Sequence, residues 1–600
     1  MTTLNLGLIL LIPGLMYFYL YVIGGTILGF FKQDFSRYFA PLVGYAVFAY
    51  TFFGLFYLTT NFFVLLGVFI ALLGGCLFWA KKKKIPLSPI PYLSLGLSAC
   101  VGLYTLHILY PHFLGTDFFH FPPLFDHIKT AFTAAIAQSG IPVTNPFCAD
   151  PDKSYYYFLY YVPLAAIKII FHTTAYEAEL IGEVLTCLIG LPLIVGSVAL
   201  LKKKECAWWE ILCCFLFIFM SKKIDGSFIG HPIDSLTETL IWTPNTFLAS
   251  SLLILSLFWI HTKNMTYSFL PALLLAIALG MSPYVFLVAF GGIGIFCLYK
   301  LCTKSDKRYF VIKTLKLLGW VALFSCPFLW IQLGATDGHG FPIKWNIYFW
   351  LDAPPLQRFV GFWTVFLLSQ MPILYLINIK FLHFTTLKKY ALFYGCILAS
   401  LCISCCLQST IHGNDLGWRS VFVTVELFTI FAIYYFGGIK SWGLKIVIVG
   451  IAIYFVRIPY LKKYTENYIR PLSSESVVAI QRYVGHKDYF LNNIFRDWRM
   501  HNTWIGEANA EFAVLTERRS CYMSYPSTQV YCHPDSRNFV EAADRIFNKN
   551  LSQQDIEAAK TLKCNKFIFV NTDRNYNEDQ ILTSFGLRKI YENDQIKIWE

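Results

Sequence analysis

The chain has 600 residues, 56% hydrophobic, 18% aromatic and only 14% charged, with a mean hydropathy of +0.53. Soluble domains do not reach that hydropathy, and the apolar runs are continuous rather than alternating. Composition therefore excludes a soluble enzyme and a β-barrel and indicates a polytopic α-helical membrane protein. The formal charge of +13 does not mark a nucleic-acid binder. Lys81–Lys84, Lys202–Lys204, Lys304–Arg308 and Lys388–Lys389 each lie at the edge of an apolar run. That is the pattern of cytoplasmic loop ends, with contact to anionic membrane lipid as a secondary effect.

In a bilayer an apolar run of about 20 residues must be a helix, because its backbone polar groups have no other partner. About fourteen spans are expected. They fall near 6–31, 38–59, 61–80, 91–110, 178–200, 206–220, 245–262, 266–282, 284–301, 311–333, 358–380, 390–408, 420–437 and 442–458. The first run is too long for a cleavable signal and has no basic leader. Residues 1–90 are read as accessory helices and 91–458 as a core with a large first external loop, 111–177. Residues 459–600 are read as an extracytoplasmic α/β domain. With 81–84 and 202–204 both cytoplasmic, one of the apolar segments 155–171 and 178–200 cannot cross. The first is expected to lie flat on the outer surface as an amphipathic helix, because its tyrosines favour the interface. A true span with a basic outer loop is the other possibility.

In the C-terminal part SVVAIQRYVG and RNFVEAADRIF have helical periodicity, while DYFLN, KFIFVNT and IKIW read as strands. Most of the 17 cysteines lie inside spans, where a thiol is a small apolar side chain. Cys521, Cys532 and Cys564 fall in the polar C-terminal part; of these, Cys521 and Cys532 can form a disulfide in an oxidising compartment, two free thiols being the other possibility.

Four segments carry chemistry. The loop 111–154 concentrates Asp117, His120, Asp126 and His127 close to the membrane edge. A carboxylate there can act as general base on an acceptor, or hold a divalent cation (Mg or Mn) against a phosphate. Residues 221–246 bring His231 and end in Trp242-Thr243-Pro244-Asn245 at the mouth of the next span. The third segment, 334–355, carries Lys344. The fourth, 411–420, carries Asn414, Asp415 and Arg419 between two apolar runs. An arginine at bilayer depth is expensive, and its planar fork matches phosphate oxygens. An internal Asp415–Arg419 pair that pins the helix end is the structural alternative.

These segments, GTDFFHFPPLFDHIK, GIPVTNPFCADPDKSYYYFLYY, IWTPNTFLAS and HGNDLGWRS, resemble uncharacterised bacterial members of the GT-C superfamily of membrane glycosyltransferases. That superfamily includes the protein O-mannosyltransferases and the lipid A aminoarabinose transferase. The resemblance spans roughly 91–600 and implies an inverting transferase in a bacterial plasma membrane. Such an enzyme takes a sugar from a polyprenyl-phosphate donor and passes it to a glycan, lipid or protein acceptor on the outer face. It implies a catalytic acid in the first loop, Asp117 or Asp126. His120, His127, His231, Lys344, Asn414, Asp415 and Arg419 are the candidate substrate-binding residues. Asp117 is followed by Phe118 and Phe119, without the usual acidic partner. A flippase of a lipid-linked sugar and a non-enzymatic membrane scaffold are the competing classes. The flippase is disfavoured because the ionisable groups gather at the outer edge rather than at the midplane.

Overall fold

A computed structural model describes residues 6–32, 36–109, 130–149, 157–220, 240, 243–263, 268–303, 307–335, 343–345, 354, 356–357, 360, 383–409, 415–455, 473–492, 513, 516–521, 552–561, 563–570 and 578–600. Four helices come first: α1 (Leu6–Phe30), α2 (Ser36–Leu58), α3 (Phe62–Lys83) and α4 (Tyr92–Leu109). Then follow α5 (Thr130–Ser139), α6 (Tyr161–Ile170), α7 (Ala175–Lys202) and α8 (Trp208–Ile218). The next four are α9 (Pro244–Lys263), α10 (Phe269–Met281), α11 (Pro283–Thr303) and α12 (Lys307–Ala335). After the short strand β1 (Ile343–Trp345) come α13 (Phe384–Lys389), α14 (Ala391–Cys406), strand β2 (Leu407–Ser409), α15 (Asp415–Gly437) and α16 (Trp442–Phe455).

Local chemistry sets several of these boundaries. Asn61 accepts from the backbone of Phe63 and Val64 and starts α3. Thr174 and Glu177 form a reciprocal capping box at the start of α7. Pro244 and Pro283 occupy the first helical position of α9 and α11, where a missing N–H costs nothing. Among the described residues, α1, α2, α3, α7, α9, α11, α12 and α15 are long and apolar enough to cross a membrane. The chain is an integral membrane protein. The expected runs 206–220, 266–282, 390–408 and 442–458 appear as shorter helices, and the expected span 358–380 lies, but for Val360, outside the described residues. The segment expected at the surface contains α6, only 10 residues long. At 1.5 Å per residue that is about 15 Å, half of a hydrocarbon core. It is also mostly buried by protein, rather than lying with an open face.

Close backbone approach holds the bundle together. A Cβ on Gly24 would stand 1.8 Å from the Ala40 carbonyl oxygen, and one on Gly44 2.0 Å from that of Leu20. The α1–α2 contact therefore needs both glycines. Both helices also pack on α7.

The bundle has two distinct ends. At one, Arg37 pairs with Glu205 at 2.6 Å and Ser36 Oγ meets Ser88 Oγ at 2.7 Å. These contacts bring the lysine runs 81–84 and 202–204 to the same basic end, where Lys202 also pairs with the buried Glu210. At the other, Ile141 N donates to Phe56 O at 3.0 Å and Tyr176 Oη to Leu109 O at 2.6 Å. Residues 130–149, α6, the start of α7 and the C-terminal domain all gather there.

That domain contains α17 (Ser474–Tyr483), β3 (Tyr489–Asn492), β4 (Arg519–Ser520), α18 (Gln553–Thr561), β5 (Cys564–Val570), α19 (Glu578–Ser584), β6 (Lys589–Glu592) and β7 (Ile596–Trp599). The sheet order is β4-β3-β5-β7-β6, with β3 parallel to β4 and β5 and the last two pairings antiparallel. The three strands expected from DYFLN, KFIFVNT and IKIW are β3, β5 and β7; the helix expected in RNFVEAADRIF lies outside the described residues. One disulfide expectation is corrected. Cys521 is bonded to Cys564, 43 residues on, and not to Cys532. Both flank β3 in the sheet, an adjacency that sequence order does not reveal. Cys148 is disulfide-bonded as well. Ala149 packs into the domain's core, so the first loop and the domain share one apolar cluster.

Candidate functional site

Three helices begin at the domain end around one buried cation. Arg419 lies one turn into α15 and is 0% exposed. Its Nη1 donates to Thr246 Oγ1 at 2.7 Å and reaches Asn245 Oδ1 at 3.5 Å, both in the first turn of α9. Its guanidinium carbon stands 5.8 Å from the centre of the Tyr157 ring. Tyr157 in turn meets Tyr284, in the first turn of α11, edge to face at 6.1 Å. Asn245 Nδ2 donates to Met281 O at 3.3 Å, and Leu159 N to Gly280 O at 3.1 Å. The 157–159 segment is thereby fixed to the α10–α11 corner. Helix N-termini carry partial positive charge, so the starts of α9, α11 and α15 add to that of Arg419. Such an end attracts anions.

The same segment also faces carboxylates. Tyr160, buried, lies within electrostatic range of Glu179 and Glu183 on α7. Those two residues are 2% and 0% exposed, and their i,i+4 spacing puts them on one helix face. A Cβ at Gly182 would lie 2.5 Å from Leu164 Cδ2 and 3.4 Å from Tyr160 Oη, so α6 rests directly on α7 there. One short stretch, Tyr157–Tyr160, therefore stands between a buried guanidinium and a pair of buried acids.

Further inward, Glu426 lies on the Arg419 face of α15 and accepts from Ser251 Oγ at 3.3 Å. On another side, Ser400 donates to Ser420 O, Ser404 to Gly417 O and Thr424 to Ser400, which holds α15 against α14. These bonds satisfy polar groups that would be costly inside a bilayer, and they fix the helix that carries Arg419.

Of the residues expected from the sequence, Arg419 is central here, and Asn245 of the Trp-Thr-Pro-Asn turn is its neighbour. Lys344 lies in β1, opposite Gln408 of β2, so the third segment pairs with the strand that follows α14, a few residues before the fourth segment. Asp415 is the first residue of α15. Asp117, His120, Asp126, His127, His231 and Asn414 lie outside the described residues. Among the described residues no three His, Cys, Asp or Glu side chains form a group able to hold a metal ion. Sequence reading missed Tyr157, Thr246, Glu179 and Glu183. The two glutamates carried a signal, since acids inside an apolar run must face the bundle.

No family model matches the chain. A curated relative, the uncharacterized protein y4nK of Sinorhizobium fredii (strain NBRC 101917 / NGR234), is 24% identical over 444 residues. The match covers 65% of this chain and 64% of that protein, so it spans less than two thirds of the relative's length. Among solved structures, the archaeal oligosaccharyltransferase AglB of Archaeoglobus fulgidus, in complex with an inhibitory peptide and a dolichol-phosphate, aligns over 82% of this chain and 70% of its own. The TM-score is 0.44 at 10% identity. A likeness at that level fixes neither the fold nor an activity.

Proposed function

We propose that the chain is a glycosyltransferase that moves one sugar from a polyprenyl-phosphate donor to an acceptor at the domain end of the bundle. That end is read as the outer face of a bacterial plasma membrane, because the lysine runs mark the opposite end as cytoplasmic. The observation that carries the reading is Arg419, fully buried at the mouth of three helix N-termini. A guanidinium there can grip a phosphate in two-point fashion while the prenyl chain stays in the lipid. In the reaction a first-loop carboxylate, Asp117 or Asp126, takes the proton of the acceptor hydroxyl. The acceptor oxygen bonds to the anomeric carbon, and the bond from that carbon to the phosphate oxygen breaks. The electron pair leaves with the polyprenyl phosphate, whose charge Arg419 offsets. One displacement inverts the anomeric centre, as the GT-C resemblance implies. His120, His127, His231, Lys344, Asn414 and Asp415 are assigned to substrate contact from their place in the polar segments of the sequence, with His231 or Lys344 helping Arg419 to neutralise the departing phosphate. If the reaction uses a Mg or Mn ion, the acids of 111–154 are the candidates to hold it.

Photolabelling tests the placement. A polyprenyl phosphate with a diazirine beside the phosphate is irradiated with the full-length protein in nanodiscs, and the labelled peptides are mapped. Label is expected on 157–161, the start of α9 and the start of α15, and excess inorganic phosphate should reduce it. Label confined to the basic end, around 81–84 and 202–204, would overturn the reading.

A further inference from the structure

Glu517 belongs to the C-terminal domain, yet its carboxylate is seated in the membrane part. It accepts from Lys168 Nζ at 2.8 Å through both oxygens, and from Ala175 N at 2.7 Å. Lys168 lies in the last turn of α6 and Ala175 is the first residue of α7. One carboxylate thus ties the end of one helix to the start of the next, where negative charge is favoured by the helix dipole. Lys168 also donates to Thr173 O at 3.3 Å, inside the same turn. The ion pair is sheltered, with side chains 16% and 13% exposed. Charge pairs out of bulk water are screened less than surface pairs. The backbone of Glu517 is held as firmly. Its carbonyl accepts from Gln138 Nε2 at 3.0 Å and from Arg518 Nη1 at 3.2 Å. Its φ is +53°, an uncommon value for a residue with a side chain.

We infer that Glu517 is a positioning residue: from the C-terminal domain it fixes the α6–α7 turn, and through α6 it sets where Tyr157–Tyr161 stand against Arg419 and the α7 glutamates. The domain is then part of the site's framework, not a separable appendage. Glu517 is not what keeps the domain attached. Ser520 N donates to Pro146 O at 2.9 Å and Ala149 N to Cys521 O at 3.2 Å, an independent backbone junction. The functional half of the inference rests on the phosphate reading of Arg419.

The test uses full-length protein in nanodiscs with Glu517→Gln, Glu517→Ala, Lys168→Met and the Glu517→Gln/Lys168→Met double variant. Hydrogen exchange is read at 157–175 and at β5, and binding is read with fluorescently labelled farnesyl phosphate. Exchange at 157–175 is expected to rise in every variant while β5 stays protected. Probe affinity is expected to fall about tenfold in each single variant, the size of a coupling between contacting residues, and no further in the double. Unchanged exchange at 157–175, or independent losses that add in the double, would overturn the inference. If Glu517→Ala also opens β5, Lys168→Met decides, since it removes the same contact from outside the domain. If unsubstituted protein fails to bind the probe, the phosphate reading and the functional half fall together. Exchange at 157–175 still decides the positioning itself.

Discussion

Arg419→Ala is expected to weaken binding of a polyprenyl phosphate by about 2–5 kcal/mol, the range for truncating one partner of a buried, hydrogen-bonded charge pair. That is roughly 30- to 4,000-fold in Kd. Arg419→Lys should fall between the two, because it keeps the charge and loses the planar fork. The competing role is structural: Arg419 donates to Thr246 and approaches Asn245, so it also pins α15 to α9. The two roles separate when affinity and thermal stability are measured together. A phosphate ligand predicts that Thr246→Ala lowers Tm and leaves most of the affinity. A pin predicts that Thr246→Ala reproduces Arg419→Ala in both readings. Normal affinity in a destabilised Arg419→Ala protein would reject the phosphate role.

The second large effect concerns the base. Asp117→Asn or Asp126→Asn is expected to lower sugar transfer by about 10²–10⁴, the usual cost of losing a positioned general base. Donor binding should survive, because the carboxylate acts on the acceptor. Glu179→Gln and Glu183→Gln are the internal comparison. Both acids are buried at the domain end of α7, near Tyr160. Single-turnover rates on the four variants decide between the loop and the helix. A full rate in both Asp variants, with a loss at Glu183, would move the base from 111–154 to α7.

What the sequence disclosed and what it hid divide along physical lines. Long apolar runs are legible because a bilayer leaves the backbone no choice but helix, and the runs at 6–31, 38–59 and 178–200 are α1, α2 and α7 within a few residues. Arg419 was legible because a guanidinium between two apolar runs is costly and draws attention. Its neighbours were less so. Thr246 is unremarkable in a sequence, and its nearness to Arg419 depends on α9 and α15 packing side by side, 173 residues apart in the chain. Tyr157 looked like one more interfacial tyrosine in a tyrosine-rich stretch. The Cys521–Cys564 bond was hidden because strand order, not spacing, brings those thiols together. The role of α6 was half legible. Its tyrosines and Pro163 marked it as non-spanning, but its burial among α2, α3, α5 and α7, and the tie from Lys168 to Glu517, depend on tertiary packing.

The most direct measurement of the central claim is turnover. Purified full-length protein in nanodiscs is incubated with a panel of polyprenyl-phosphate sugars radiolabelled in the sugar, together with a membrane extract as acceptor source, and free polyprenyl phosphate is followed over time. The account predicts time-dependent release of polyprenyl phosphate from at least one donor, matched by sugar appearing in an acceptor and lost in Arg419→Ala. Donor that is bound or moved across the bilayer intact, with no release from any member of the panel, would contradict it.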